Sequence, residues 1–264
     1  MLIAPQRLAR PGQPLKLSKE EQHYLRRVLR LRPGDGFAIG DGQGQLWQGQ
    51  LGAEGQALQG PLLEQQPPPQ PRLVLLAGLM RRELEPMLRM GTELGLDRFV
   101  PLRAERSLPD PGDQRQDRWQ TLVKEACEQC ERLWQPQLEA VVSGSEALAR
   151  PRGRGERRWI AVTREAGVPS LLEHLQGLQH TSPGETGDWQ LACGPEGGWS
   201  PMEREIAAGA GWQPVSLGPT ILRAATAALV GVTLMQQQRS AAAEALGDRL
   251  EISEGRPGPA AAAG

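Results

Sequence analysis

Short apolar runs alternate with helical patterns along the chain after residue 71. A short, nearly continuous apolar run is typical of a strand that is buried on both faces of a parallel sheet. Such runs occur at 72–79, 98–102, 158–163, 189–193 and 213–217. Helical patterns lie at 81–96, 113–133 and 221–239. The alternation predicts an α/β domain built on a parallel sheet.

The N-terminal part has a different pattern, with one helix followed by short extended pieces between glycines. Ser18 and Glu21 have the spacing of a capping box that opens the helix. Leu25, Val28 and Leu29 are predicted to form its apolar stripe. Turn-forming residues end the helix, and 37–51 reads as strands broken by glycine turns. We therefore predict a small β-rich domain with one helix.

A proline-rich segment, EQQPPPQPR at 64–72, separates the two patterns. Consecutive prolines favour an extended conformation and oppose a helix or a central strand. We place a domain boundary there, which gives domains over 1–70 and 71–242. The remainder, 243–264, is poor in core-forming residues and is predicted to be a disordered tail.

Composition indicates an ordinary water-soluble protein. Of the 264 residues, 39% are hydrophobic and 23% are charged. The apolar runs are all far shorter than the roughly 18 residues that a membrane helix needs. The first residues also lack the pattern of a signal peptide. We expect a cytoplasmic protein without a membrane partner.

Charge is unevenly distributed, although the net charge is only −1. Residues 1–32 contain eight basic and two acidic residues. Arginine suits bidentate contacts with phosphate, so this segment is a candidate for nucleic-acid binding. A solvated surface without a partner explains the same charges equally well.

The cysteines do not indicate a metal site. Cys127 and Cys130 form a C-x-x-C pair inside a helical pattern, and no second pair follows at zinc-ligand spacing. Two semi-buried helix residues are a better interpretation than zinc binding or redox chemistry. No cluster of potential metal ligands stands out elsewhere in the sequence, so we expect no metal.

Two glycine-containing loops follow predicted strands. GPEGG, Gly194–Gly198, comes before a helix start in which Ser200 is the cap and Pro201 the first helical residue. LGPTILR, 217–223, comes before the last helix. Ligands of open α/β sheets bind at such strand ends. Free backbone amides beside apolar side chains suit an adenine with a zwitterionic tail better than a triphosphate, although each loop is also explained by a tight turn without a ligand.

Taken together, these loops resemble the last two motifs of the SPOUT methyltransferases. The ribosomal RNA small subunit methyltransferase E family, which methylates N3 of a uridine in 16S rRNA, is the most similar. ELGLDRFVPLRAERS (93–107) and EACEQCERLWQP (125–136) resemble its earlier motifs, in the right order. HYLRRVLRLRPGD (23–35) resembles its PUA-like RNA-binding domain. The resemblance covers nearly the whole chain except the tail.

The resemblance implies a parallel sheet with a C-terminal trefoil knot, a rare exception to the rule against knots. It also implies a homodimer that binds S-adenosylmethionine and acts on 16S rRNA or the small ribosomal subunit. The implied cofactor-binding residues are Gly194, Pro195, Glu196, Gly197, Gly198, Leu217, Gly218, Ile221, Leu222 and Arg223. The implied RNA-binding residues are Arg26, Arg27, Arg30 and Arg32. For Glu196 we favour a turn-stabilising acceptor over a base, and for Arg223 a salt bridge remains an alternative.

Methylation of a uracil N3 requires loss of a weakly acidic proton. A nearby guanidinium lowers the pKa of the imide and stabilises the developing charge. The resemblance points to Arg132 for this role. Gln129, three residues earlier on the same helix face, would orient the base. The alternative for Arg132 is an exposed arginine paired with Glu128.

The sequence departs from the family pattern at a few positions. Met90 lies near a point where the family commonly has lysine, and Thr220, Ala224 and Ala225 replace polar or charged residues. Two other functions therefore stay open. One is methylation of a ribose 2′-OH or of another base. The other is an RNA-binding assembly factor whose cofactor site has decayed.

Overall fold

The computed structural model describes residues 1–8, 12–53, 55–107, 113–178 and 187–254. Within these ranges the chain forms one antiparallel and one parallel sheet. Helices flank the parallel sheet on both sides. No helix in the described ranges combines the length and apolarity that crossing a bilayer requires.

The N-terminal sheet is antiparallel, with strand order β1-β4-β3-β2. Its strands are β1 Pro14–Lys16, β2 Gly36–Gly40, β3 Gln45–Leu51 and β4 Gln56–Gln65. A 3₁₀ turn, Pro5–Arg7, precedes them, and helix α1, Lys19–His23, continues as a π-helical turn over Tyr24–Val28. The core beneath consists of Ile3, Leu15, Leu17, Leu25, Ile39, Leu51 and Ala57.

The first helix begins as predicted, but the prediction of its apolar stripe was wrong. Ser18 and Glu21 form the reciprocal capping box. Leu25 is fully buried, whereas Val28 is 58% and Leu29 45% exposed. The helix ends in the π-helical turn, and the chain then turns away at Arg30, where φ is +58°. Val28 and Leu29 therefore lie beyond the part of the helix that faces the core.

The second sheet is parallel in all its pairings, which confirms the predicted α/β class. Its order is β11-β9-β10-β5-β6-β7, and β8 also pairs with β6. Its strands are β5 Leu73–Gly78, β6 Arg98–Arg103, β7 Gln137–Leu138, β8 Val142–Ser143, β9 Arg157–Ala161, β10 Trp189–Cys193 and β11 Gln213–Val215. The spacer at 64–72 connects the two sheets.

Six helices in the described ranges cover the parallel sheet: α2 Leu84–Glu93, α3 Asp113–Gln129, α4 Gly144–Ala149, α5 Leu171–Gln176, α6 Pro201–Gly209 and α7 Ala224–Glu254. Alternate side chains of β5 point to opposite faces. Leu73 and Leu75 pack with α2, α3, α5 and α7, while Val74 and Leu76 pack with α4 and α6. Every residue of β5 is buried, as its apolar run predicted.

The last helix passes close to the sheet and extends further than expected. A Cβ at Gly231 would lie 1.9 Å from Cδ2 of Leu191, so only glycine allows α7 to approach β10 this closely. The helix continues to Glu254. The segment predicted to be a disordered tail thus includes the end of this helix over 243–254, and 255–264 lie outside the described residues.

One buried carboxylate joins several of these elements at the amino edge of the parallel sheet, where β5 and β6 begin. The Asp97 side chain is 4% exposed. It accepts hydrogen bonds from the backbone N–H of Leu73 at 2.8 Å, from Arg132 at 3.0 Å and from Arg239. Arg132 follows α3 and Arg239 belongs to α7. A single side chain thus connects two helices to the start of the central strand.

Both arginines also donate hydrogen bonds to backbone carbonyls near Asp97. Arg132 also donates to the carbonyls of Thr92 and Leu96, both at 2.7 Å. Arg239 also donates to the carbonyls of Pro71 at 3.0 Å and Gly95 at 3.1 Å. Such complete pairing is what offsets the cost of burying charge.

Asp97→Asn should strongly destabilise the fold, because two largely buried guanidinium groups lose their counter-charge. Removing one partner of a buried pair costs about 3–5 kcal/mol. The free energy of unfolding, measured in urea, tests this.

Glu85→Gln is the control, since its partner Arg118 is 70% exposed and such pairs contribute about 0–1 kcal/mol. An equal loss of unfolding free energy in Asp97→Asn and Glu85→Gln would contradict the central role of Asp97.

Candidate functional site

The structure brings the two glycine-containing loops to one edge of the parallel sheet. Gly194–Gly198 follows β10, and 216–223 follows β11. Both strands pair in parallel with β9, so both loops leave the sheet at its carboxyl edge on either side of β9. This is the edge at which open α/β sheets bind ligands.

The first loop is a tight turn that is fixed by hydrogen bonds within it and directly after it. The N–H of Gly198 donates to the Pro195 carbonyl at 2.8 Å, and Gly198 has a φ of +70°, which favours glycine. Trp199 is buried, and its indole N–H donates to the Ala161 carbonyl at 3.1 Å. The next residue, Ser200, caps α6 through the predicted capping box. The loop is therefore rigidly placed at both ends.

Two neighbours of this loop were not predicted from the sequence. A Cβ at Gly78, the last residue of β5, would lie 2.6 Å from the Pro195 nitrogen. Nη1 of Arg106 donates to the Gly197 carbonyl at 3.3 Å, and a Cβ at Gly197 would lie 2.8 Å from Cβ of Arg106. The glycine that ends an apolar strand run was a usable signal for Gly78. For Arg106 the sequence offered only its position shortly after a strand.

The second loop presents apolar side chains on either side of Gly218. Ile221 is 61% exposed, and Leu222 and Leu217 are half-buried. Gly218 has a φ of +135° and exchanges two hydrogen bonds with the Ser216 hydroxyl. The positions where a Cβ would stand at Gly198 and Gly218 face open space. Both loops can therefore admit a ligand close to the backbone.

The charged residues of the two loops are exposed. Arg223 forms a salt bridge with Glu83 at 3.0 Å, the alternative that the sequence left open, and its side chain is 81% exposed. Glu196 is exposed at the tip of the first loop. A pair this exposed contributes little to stability, so Arg223 stays available to a ligand.

Cys193 directly precedes the first loop but is not a candidate nucleophile. Burial raises the pKa of its thiol to about 12. The thiol is therefore protonated at neutral pH, and only the thiolate is nucleophilic. Burial has the same effect on the pKa of the Cys127 thiol, which also rises to about 12. Both cysteines pack in the interior.

Within one protomer, Arg132 and Gln129 lie away from both loops, and their catalytic role stays a prediction. Arg132 donates to Asp97 and to two backbone carbonyls at the amino edge of the sheet, opposite both loops. Its guanidinium is engaged there and is 17% exposed. The carboxylate that pairs with Arg132 is Asp97, and Glu128, the partner considered from the sequence, accepts the Leu2 backbone N–H at 2.6 Å. Gln129 is exposed at the end of α3, on the same side as Arg132.

The four arginines predicted to bind RNA cluster at the end of the first helix. Arg26, Arg27, Arg30 and Arg32 are all exposed. Within the part of the chain that the structure describes, no ion pair joins any of them to a carboxylate. Their charges are therefore free to meet an external anion.

Comparison with known proteins decides the family. The sequence model of an RNA methyltransferase domain matches residues 66–236, and that of an RNA methyltransferase PUA domain matches residues 17–56. A ribosomal RNA small subunit methyltransferase E from Synechocystis sp. is 38% identical over 235 residues, which cover 88% of this chain and 75% of the relative. The chain belongs to the ribosomal RNA small subunit methyltransferase E family.

Other members of the methyltransferase E family agree in sequence and fold. The Mycobacterium bovis member is 29% identical, with 88% of this chain and 89% of the relative covered. A Neisseria gonorrhoeae member, solved bound to S-adenosyl methionine, is 25% identical with a TM-score of 0.73 over 89% of this chain and 96% of its own. A Legionella pneumophila methyltransferase in complex with the same cofactor is 25% identical and has a TM-score of 0.74, with 89% and 96% covered.

Gly78→Ala should weaken binding of S-adenosylmethionine, the cofactor that the sequence predicts, because the new methyl group displaces the backbone of the first loop. Overpacking of about 1–3 kcal/mol corresponds to a loss of affinity of about five- to hundredfold. Isothermal titration calorimetry measures it.

Gly209→Ala is the matched control, because no atom lies within 4 Å of its Cβ position in α6. Unchanged affinity in Gly78→Ala would show that the cofactor does not depend on the position of this loop.

Proposed function

We propose that this chain transfers the methyl group of S-adenosylmethionine to N3 of a uridine in 16S rRNA. The observation that carries the proposal is the meeting of two glycine-containing loops at the carboxyl edge of the sheet, in a member of the methyltransferase E family. The S-adenosyl methionine in the Neisseria gonorrhoeae relative supports the choice of cofactor.

The cofactor would lie between the two loops. Backbone groups of Gly194–Gly198 would hold its polar parts, and the open space beside Gly198 and Gly218 would admit it close to both loops. Ile221 and Leu222 would pack against the adenine, which removes the exposed apolar surface of Ile221 from water. Once bound, S-adenosylmethionine supplies an electrophilic methyl group, and its sulfur leaves as a neutral thioether.

Arg106 is better placed than Arg132 to act on the uracil. Its guanidinium touches the first loop at the Gly197 carbonyl and is exposed toward the carboxyl edge. A positive charge beside the imide lowers the pKa of N3–H, so the proton passes to water and the anion attacks the methyl carbon. The same charge stabilises the transition state as the C–S bond breaks and the N–C bond forms.

Binding of the rRNA would depend on the N-terminal domain. The exposed Arg26, Arg27, Arg30 and Arg32 would neutralise phosphates, so affinity should fall steeply as salt rises. The resemblance further supports a homodimer and a trefoil knot around α7. Met202, 66% exposed beside the first loop, is apolar surface that a second copy would cover.

The alternative hypothesis, an RNA-binding assembly factor whose cofactor site has decayed, loses part of its support. Ala224 and Ala225 replace polar residues of the family pattern, yet both are buried in the core of the parallel domain. Met90 lies on α2 and is absent from both loops. These departures affect packing and the surface of a helix, and the loop backbone stays intact.

Arg106→Gln should lower kcat about 100-fold, the usual effect of removing one group that stabilises developing charge. Binding of S-adenosylmethionine should be unchanged. The pH at which the rate levels off should be higher in the variant than in the wild type, because the imide must ionise without help. Steady-state kinetics across pH test this.

The control is Arg118→Gln, an exposed arginine on α3 that should keep wild-type kinetics. Wild-type rates in Arg106→Gln would remove Arg106 from the mechanism.

Mapping of modified nucleotides in 16S rRNA from a deletion strain tests the reaction itself. We expect one N3-methyluridine to disappear and to return when the gene is restored. Loss of a 2′-O-methyl group or of a different methylated base would support the alternative target. An unchanged modification pattern would exclude rRNA methylation.

A further inference from the structure

Two exposed apolar side chains lie among the four arginines of the N-terminal domain that form no ion pair with a described carboxylate. Val28 is 58% and Leu29 45% exposed. Arg26 and Arg27 precede them, and Arg30 and Arg32 follow. We call these six residues the arginine turn. Single exposed apolar residues are common on protein surfaces, so the exposure alone carries no meaning.

The backbone holds the arginine turn in a defined shape. The N–H of Leu29 donates to the Tyr24 carbonyl at 3.0 Å, and that of Leu31 to the Leu25 carbonyl at 2.9 Å. Leu25 is fully buried and anchors the turn to the core. Val28 and Leu29 therefore project into solvent because of fixed local geometry.

The far side of the turn is held in the same way. The Asp35 carboxylate accepts the backbone N–H of Arg32 at 2.7 Å, and the N–H of Gly34 donates to the Leu51 carbonyl at 2.7 Å. Arg30 keeps a left-handed backbone, with a φ of +58°, that is uncommon outside glycine and asparagine. The backbone that carries the arginines is therefore fixed on both sides of the apolar pair.

A partner of this surface must present negative charge and an apolar face within a few ångströms of each other. RNA does so where a base leaves its stack, since the flat face of the base then lies between phosphates. In a continuous duplex, neighbouring bases cover those faces. Apolar side chains such as leucine are known to insert against unstacked base steps.

We propose that Val28 and Leu29 pack against an unpaired base of the rRNA while the flanking arginines contact its phosphates. The arginine turn then selects RNA that has an unpaired nucleotide over a continuous duplex. This inference rests on the proposed function, because it takes rRNA as the partner.

The test compares two labelled RNAs of equal length and charge by fluorescence anisotropy with the full-length protein. One is a 16S rRNA hairpin with an unpaired loop, and the other is a fully paired duplex. The double variant Val28→Ser/Leu29→Ser should bind the hairpin about tenfold more weakly, the size expected when the burial of about one aliphatic side chain is lost. Its affinity for the duplex and its salt dependence should be unchanged.

Two further variants separate the parts of the surface. Leu172→Ser makes the same chemical change at a leucine that is also 45% exposed but lies on α5, so it should not alter binding. Arg26→Gln/Arg27→Gln should weaken the binding of both RNAs. It should also reduce the slope of log affinity against log salt concentration by about one unit per arginine.

The proposal would be overturned if Val28→Ser/Leu29→Ser lost equal affinity for both RNAs, or lost no affinity for either. A change in oligomeric state of that variant in sedimentation would also overturn it, because the pair would then contact a second copy. The proposed function fails separately, if the wild type binds the hairpin but transfers no methyl group to 16S rRNA in assembled or free form.

Discussion

The pairing of Asp97 with Arg132 and Arg239 is the interaction on which the arrangement of the molecule depends. It joins the start of the central strand to the segment after α3 and to the last helix. A buried carboxylate is tolerated only when its hydrogen bonds are complete, so these elements must come together in one arrangement. Ion pairs thus hold these elements together at the amino edge of the sheet, whereas the two glycine-containing loops lie at the carboxyl edge.

The same edge supports the N-terminal domain. The backbone N–H of Leu2 donates to Glu128, and Gly42 and Gly44 exchange backbone hydrogen bonds with Gln135 and Leu133. The motif around Arg132 therefore holds two domains together. A sequence motif of this kind can be recognisable because of its packing and its buried charge, and its arginine need not touch the substrate.

The position of Arg132 was accessible to topological reasoning. In a parallel sheet, a helix that follows one strand returns the chain to the amino edge before the next strand begins. Arg132 lies after α3 and shortly before β7, so it belongs at the amino edge, whereas ligands bind at the carboxyl edge. By the same rule Arg106, shortly after β6, belongs at the carboxyl edge.

The sequence by itself determined the parallel sheet, the capped helix starts and the two loops, because strand burial and capping are read from neighbouring residues. Only the tertiary structure decided the rest. It exposed Val28 and Leu29, buried Ala224 and Ala225, and placed Gly78 and Arg106 against the first loop. These outcomes depend on contacts between residues far apart in the chain, and local periodicity carries no information about which side chain meets which.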